Sequence, residues 1–197
     1  MGHYFDSDPS VESKEREIRF SLYGREYAYY SDNGVFSKSE IDQGTYIFLK
    51  VLVPLRLSGR ILDLGCGVGP IGLTLALNNP EARVVLADIN SRALALASKS
   101  SQRLNLSSRV TTLHSDIYQK IEGTFDSIVL NPPIRAGKVV TYQMYSGAKQ
   151  YLIDGGSLYI VIRRKQGAES AFKYLETVFE NVTVLHKEKG YWIIQAK

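Results

Sequence analysis

The sequence predicts an α/β fold: a seven-stranded, mostly parallel sheet with helices on both faces and an antiparallel last strand, preceded by a small N-terminal β-hairpin and helix. Three observations predict it. From Gly59 onward, short apolar runs alternate with helix-patterned stretches, as in a parallel sheet covered on both sides. The final two apolar runs, Val182 to Leu185 and Tyr191 to Gln195, are joined only through Lys189-Gly190 and a few neighbours, too little chain for a helical crossover, so they pair antiparallel. Glycine-rich, acidic and Asn-Pro-Pro motifs follow the apolar runs, at the carboxyl ends of strands where sheets of this kind bind ligands.

The elements follow in order. Glu17 to Leu22 and Glu26 to Ser31 read as two short strands, with Ile18, Phe20 and Leu22 alternating with polar residues and Gly24 in the turn. Ser39-Glu40-Ile41-Asp42 has capping-box form with Ser39 as N-cap, which predicts a helix from about Glu40 to Val53 that stops at Pro54. Residues 1–57 are therefore expected to be a hairpin-and-helix extension packed on a core formed by residues 58–197. In that core, Arg60 to Leu64 is the first strand. Pro70 to Asn78 is a helix whose proline is tolerated in the first turn. Arg83 to Ala87 is the second strand, and Ser91 caps a helix reaching about Asn105. Val110 to Leu113 and Phe125 to Leu130 are the third and fourth strands. Thr141 to Tyr151 is helical, and Ser157 to Ile162 is an almost wholly apolar fifth strand. Ala168, Ala171, Phe172, Leu175, Val178 and Phe179 trace one helical face before the closing hairpin.

Composition narrows the class. The 197 residues fit one domain with a sizeable core. No apolar run approaches the roughly 20 residues that span a bilayer, and Met1 to Ser10 is polar and acidic, unlike a secretory signal. Cys66 stands alone, which excludes an internal disulfide and suits a cytoplasmic location. Three scattered histidines and one cysteine make no metal-ligand spacing. The formal charge of +4 is uneven: residues 131–197 hold ten Lys/Arg against five Asp/Glu. A basic C-terminal third is compatible with a polyanionic partner or with a solvated surface.

Five motifs carry the candidate chemistry. Asp63-Leu64-Gly65-Cys66-Gly67-Val68-Gly69-Pro70 links a strand to a helix, and its glycines permit a tight turn and close ligand approach. Gly67 to Gly72 also fits the dinucleotide pattern G-x-G-x-x-G. Asp63, however, sets a negative charge beside the loop, which opposes phosphates and suits a ligand ammonium. Asp88 follows at the interval expected of a ribose-binding acid, with Ile89 placed to pack on an adenine face or in the core. Asp116 and Ile117 follow the third strand, where a carboxylate can accept from an adenine amino group. Asn131-Pro132-Pro133-Ile134 follows the fourth strand. Its prolines stiffen the turn, so that the Asn131 side-chain carbonyl and a backbone carbonyl form a rigid acceptor pair for a planar –NH₂ group. Arg135 and Lys138, next to that turn, and Arg163, Arg164 and Lys165, after the fifth strand, are placed to rim the same cleft and hold phosphates. Cys66 has no paired histidine and reads as a small packed residue.

Asp63-Leu64-Gly65-Cys66-Gly67, with Asp88, Asp116 and Asn131-Pro132-Pro133-Ile134, resembles the class I S-adenosylmethionine-dependent methyltransferases, which have a Rossmann-like fold. The Asn-Pro-Pro turn resembles the branch that methylates exocyclic or amide nitrogens. Gly34-Val35-Phe36-Ser37, Asp42-Gln43-Gly44 and the run from Asn131 to Lys138 resemble the small-ribosomal-subunit guanine-N2 methyltransferases, over essentially the whole chain.

The resemblance implies S-adenosyl-L-methionine as cofactor, held by Asp63, Gly65, Cys66, Gly67, Gly69, Asp88, Ile89, Asp116, Ile117 and Asn131. It implies catalysis by Asn131, Pro132, Pro133 and Ile134, and RNA contacts from Phe36, Arg135, Lys138, Arg163, Arg164 and Lys165. The implied substrate is guanine N2 in 16S rRNA or the small ribosomal subunit, the enzyme acting as a monomer or homodimer without metal or membrane. Other acceptors of Asn-Pro-Pro enzymes, adenine N6 or a glutamine amide, stay open, as does a non-catalytic rRNA-binding role. Ile134 departs from the aromatic residue common in the wider branch. Some family members carry two tandem domains, and this sequence carries one.

Overall fold

In the computed structural model, residues 14–33 and 41–197 are described. Strands β1 (Arg16–Leu22) and β2 (Arg25–Ser31) form an antiparallel hairpin. Its two-residue turn, Tyr23-Gly24, places both residues at positive φ, the geometry that matches the twist of paired strands. Ile18, Phe20 and Leu22 turn inward, and the Phe20 and Tyr27 rings stack with centroids 5.1 Å apart.

Helix α1 (Gln43–Leu55) differs from expectation at both ends. Its N-cap is Asp42, whose carboxylate accepts the Thr45 N–H; Ser39 and Glu40 lie outside the described residues. Pro54 sits inside the last turn rather than ending the helix. A proline there leaves the carbonyl four residues earlier without its usual partner. That carbonyl, of Lys50, accepts the Tyr23 hydroxyl at 2.6 Å, so the hairpin turn completes the helix.

The seven-stranded sheet comprises β3 (Gly59–Leu64), β4 (Ala82–Asp88), β5 (Val110–His114), β6 (Phe125–Leu130), β7 (Leu152–Arg163), β8 (Val182–Glu188) and β9 (Tyr191–Ala196), in the order β5-β4-β3-β6-β7-β9-β8. All neighbours from β5 through β7 pair in parallel, and β9 is antiparallel to both β7 and β8. Lys189 and Gly190, both at positive φ, make the closing turn. Strand β7 begins five residues earlier than expected. Leu152 pairs with Phe125, and an irregularity precedes the Ser157 register, with Gly155 at positive φ supplying the kink.

Helices α2 (Pro70–Asn78) and α3 (Ser91–Arg103) join α1 on one face; α4 (Lys138–Tyr151) and α5 (Ala168–Glu176) cover the other. Alternation along each strand divides the core accordingly. Ile61, Val84, Leu86, Val129 and Ile193 pack toward α1, α2 and the hairpin, whereas Leu62, Ala87, Ile128, Leu130 and Ile194 pack toward α4 and α5. Asn90, not Ser91, caps α3: its side chain accepts the N–H groups of Arg92 and Ala93, leaving Ser91 as the first helical residue. Helix α4 starts three residues before Thr141, directly after a 3₁₀ turn at Ile134–Ala136. Helix α5 ends at Glu176, and Phe179 still packs into the core beyond it. Among the described residues no helix is long and apolar enough to cross a membrane.

Candidate active site

The carboxyl ends of β3, β4, β5 and β6 converge on one edge of the sheet, as parallel pairing requires. The glycine loop leaves β3 there. Ala87 accepts the Gly65 and Cys66 N–H groups at 2.8 and 3.0 Å, and Asp88 accepts the Gly67 N–H at 2.7 Å. Gly67 has a φ of +56° with open space where a Cβ would stand, so the loop surface is bare backbone at that point. Gly72 has a different role. A Cβ on it would meet Leu86 and, at 2.9 Å, Val84 Cγ1, so its absence lets α2 lie close on β4.

The loop is acidic underneath. Asp63 is 1% exposed. One carboxylate oxygen accepts the Gly72 N–H at 2.8 Å, and the other, Oδ1, is buried with no hydrogen-bond partner. Burial, with a smaller contribution from Asp88, pushes its carboxyl up to about 7. Burial likewise raises Asp88, against the opposing N–H donors of Asn90, Gly67 and Ile89. Cys66 is 6% exposed and its thiol is pushed up by burial, the state of a packed thiol rather than a nucleophile.

Ile89 is half-buried beside Asp88. After β5, Asp116 is exposed, while Ile117 holds a φ of +48°. That backbone region is strained for a β-branched residue and tends to persist at ligand sites. Ser115 locks the bend: its hydroxyl donates to the Ile117 carbonyl and accepts the Lys120 N–H.

The Asn-Pro-Pro turn lies alongside. Asp63 pairs with Val129 across β3 and β6; two residues beyond this pair lie Gly65 on one chain segment and Asn131 on the other. Pro132 is buried, and Pro133 and Ile134 are half-buried. The Pro133 and Ile134 carbonyls accept the N–H groups of Ala136 and Gly137, whereas no donor among the described residues takes the Pro132 carbonyl. Asn131 Nδ2 donates to Thr45 Oγ1 at 3.0 Å, and no donor among the described residues takes the amide oxygen.

Arg135 and Lys138 are exposed next to this turn, and Arg163, Arg164 and Lys165 are exposed at the end of the adjacent strand β7. Arg163 lies over the Tyr191 ring at 5.6 Å, and Arg164 pairs with Glu169 at 3.1 Å. Phe36 lies outside the described residues. The structure thus brings Asp63, Gly65, Cys66, Gly67, Gly69, Asp88 and Asn131 to one place, with Asp116 and Ile117 on the neighbouring loop. Thr45 was not among the expected site residues. The signal for it was its position directly after Asp42-Gln43-Gly44.

A parallel sheet with β9 inserted antiparallel between β7 and β8, and with acidic and glycine motifs at its carboxyl edge, defines the class I methyltransferase fold. The chain belongs to the methyltransferase small domain family, whose match spans residues 26–195. It is 40% identical over 197 residues to the Bacillus subtilis protein YbxB, covering 99% of this chain and 98% of that protein. It is 34% identical over 188 residues to the ribosomal RNA small subunit methyltransferase C of Vibrio vulnificus, covering 92% of this chain and 52% of that protein. A solved structure of the T. thermophilus 16S rRNA methyltransferase RsmC in complex with AdoMet and guanosine superposes with a TM-score of 0.82 at 27% identity, covering 96% of this chain and 52% of that one. The chain therefore spans about half the length of these rRNA methyltransferases.

Proposed function

We propose that this protein is an S-adenosylmethionine-dependent methyltransferase acting on the exocyclic N2 amine of a guanine in 16S rRNA. One observation carries the cofactor assignment: the Gly67 N–H is already occupied by the Asp88 carboxylate. A loop that bound a pyrophosphate would present such N–H groups to the ligand. The carboxylates of Asp63 and Asp88 border this loop instead, and they suit ribose hydroxyls and an ammonium. The unpartnered, buried Oδ1 of Asp63 fits the same ligand, since a cation nearby would offset the cost of its burial.

When bound, S-adenosylmethionine supplies a methyl group on a sulfonium, an electrophile that needs no further activation. Asp88 would hold its ribose, and Asp116 and Ile117 its adenine. Asp63 would act on the amino-acid end from below the glycine loop. The acceptor falls to the Asn131-Pro132 turn. A guanine amino nitrogen is a weak nucleophile because its lone pair is delocalised into the ring. The Asn131 Oδ1 and Pro132 carbonyl would accept its two hydrogens and stabilise positive charge developing on nitrogen. The half-buried Ile134 would pack on the base in place of an aromatic ring, and Arg135, Lys138, Arg163, Arg164 and Lys165 would hold flanking phosphates. A paired guanine would have to leave its helix to reach the turn. The 16S rRNA assignment is supported by the names of relatives that share most of this chain's length, and by the guanosine in the T. thermophilus complex.

Incubation with tritium-labelled cofactor and separated RNA, DNA and protein fractions tests this reading. Label should enter RNA and be recovered as N2-methylguanosine, and Asn131→Ala should sharply lower incorporation while keeping much of its cofactor affinity. Label in N6-methyladenosine or in protein would overturn the acceptor assignment.

A further inference from the structure

The geometry points to Thr45 as the residue that positions the Asn131 amide, so that the N-terminal extension forms part of the active site. This rests on the reading that Asn131 faces the acceptor amine. An asparagine amide has one oxygen and one NH₂ group, and a half-turn about its last side-chain bond exchanges them. Only the oxygen can accept from an amine. In the other orientation the turn would meet the acceptor donor to donor. Asn131 Nδ2 donates to Thr45 Oγ1 at 3.0 Å, so the NH₂ lies on the α1 side, where the hydroxyl accepts it. Among the described residues no donor reaches Asn131 Oδ1, so the oxygen stays available.

Thr45 is itself firmly placed. It is 2% exposed in the first turn of α1. Its N–H donates to the capping Asp42 carboxylate at 3.1 Å. The preceding Gly44 lies against Tyr191 so closely that an added Cβ would stand 2.9 Å from Tyr191 Cε1. The first turn of α1 is thus held between the Asn-Pro-Pro turn and the start of β9, and the hydroxyl cannot drift from the amide. The Asp42-Gln43-Gly44 run serves this placement: a cap, then a residue with no side chain to hold α1 off Tyr191.

The test uses Thr45→Val, which keeps side-chain volume and removes the hydrogen bond, and Thr45→Ser, which keeps the hydroxyl. For Thr45→Val we expect kcat to fall roughly 10- to 100-fold, the range seen when an outer partner orienting a functional side chain is lost. Cofactor Kd by calorimetry should stay within about twofold of the parent, below the spread of an ordinary uncoupled site. Thr45→Ser should restore most of kcat. In ¹⁵N-labelled protein, the Asn131 side-chain NH₂ resonances, assigned by their absence in Asn131→Ala, should shift in Thr45→Val and return in Thr45→Ser. On an Asn131→Ala background, adding Thr45→Val should lower kcat no further. Unchanged kcat and NH₂ resonances in a folded Thr45→Val, or a further additive loss on the Asn131→Ala background, would overturn the role. If Asn131→Ala alone leaves turnover intact, it is the underlying reading of Asn131 that fails.

Discussion

The Asp88 carboxylate accepts the Gly67 backbone N–H at 2.7 Å with one oxygen and the Asn90 N–H at 2.8 Å with the other. The end of β4 thereby sets the shape of the glycine loop that leaves β3, and the loop's central amide is turned away from any anion. The same carboxylate keeps lone pairs for a ribose. Asp88→Ala should therefore weaken S-adenosylmethionine binding by roughly 10- to 100-fold, as expected for losing hydrogen bonds to a charged acceptor. Titration calorimetry reads this directly, and unchanged affinity would contradict the ribose assignment.

Asp63 predicts a pH dependence. Its carboxyl, pushed up to about 7 from 3.8 mainly by burial, holds a proton in the folded chain that the unfolded chain has released. Between these values the folded state binds more protons, so stability falls as pH rises through the window and levels above it. Asp63→Asn keeps the acceptor for Gly72 and removes the titration. The unfolding free energy of the parent minus that of the variant should decline from about pH 5 to 7, by at most ~1.4 kcal/mol per pH unit, and then flatten. A pH-independent difference, measured by urea denaturation, would contradict this.

Asp32 ties the end of the hairpin to the first turn of α3. It is 2% exposed, accepts the Lys14 N–H at 2.7 Å and pairs with Arg92 through Nε at 2.9 Å. Arg92 lies in the first turn of α3, four residues after Asp88. Asp32→Ala removes one partner of a largely buried ion pair, which costs about 3–5 kcal/mol. Chemical denaturation should show a loss of that order, and a loss below 1 kcal/mol would mean the pair behaves as an exposed one.

Gly72→Ala should destabilise the chain by about 1–3 kcal/mol, the usual range for overpacking. The added methyl meets the Val84 and Leu86 side chains, so those side chains or α2 must shift to admit it. Thermal unfolding checks it; a neutral substitution would show that the contact yields freely.

Much of this was legible in the sequence because the physics was local. All seven strands of the sheet and the closing hairpin follow from apolar alternation and chain length, and Pro70–Asn78 and Phe125–Leu130 fall where the sequence places them. Errors arose where a distant residue decides. Pro54 stays within α1 because Tyr23, far away in sequence, completes the Lys50 carbonyl. The Leu152–Gly156 stretch joins β7 ahead of the expected start at Ser157, because it pairs irregularly with Phe125. The α3 cap is a local choice between adjacent capping residues, and Asn90 takes it, accepting the Arg92 and Ala93 N–H groups while Ser91 becomes the first helical residue. The loop acids and the Asn-Pro-Pro turn were visible as motifs. Thr45 was not, because its role depends on one hydroxyl meeting an amide 86 positions away.

Nucleoside mass spectrometry of 16S rRNA, compared between cells with and without the gene, reads the acceptor base itself. One N2-methylguanosine should disappear and be restored by the parent protein but not by Asn131→Ala. An unchanged N2-methylguanosine content in the gene's absence would contradict the acceptor assignment.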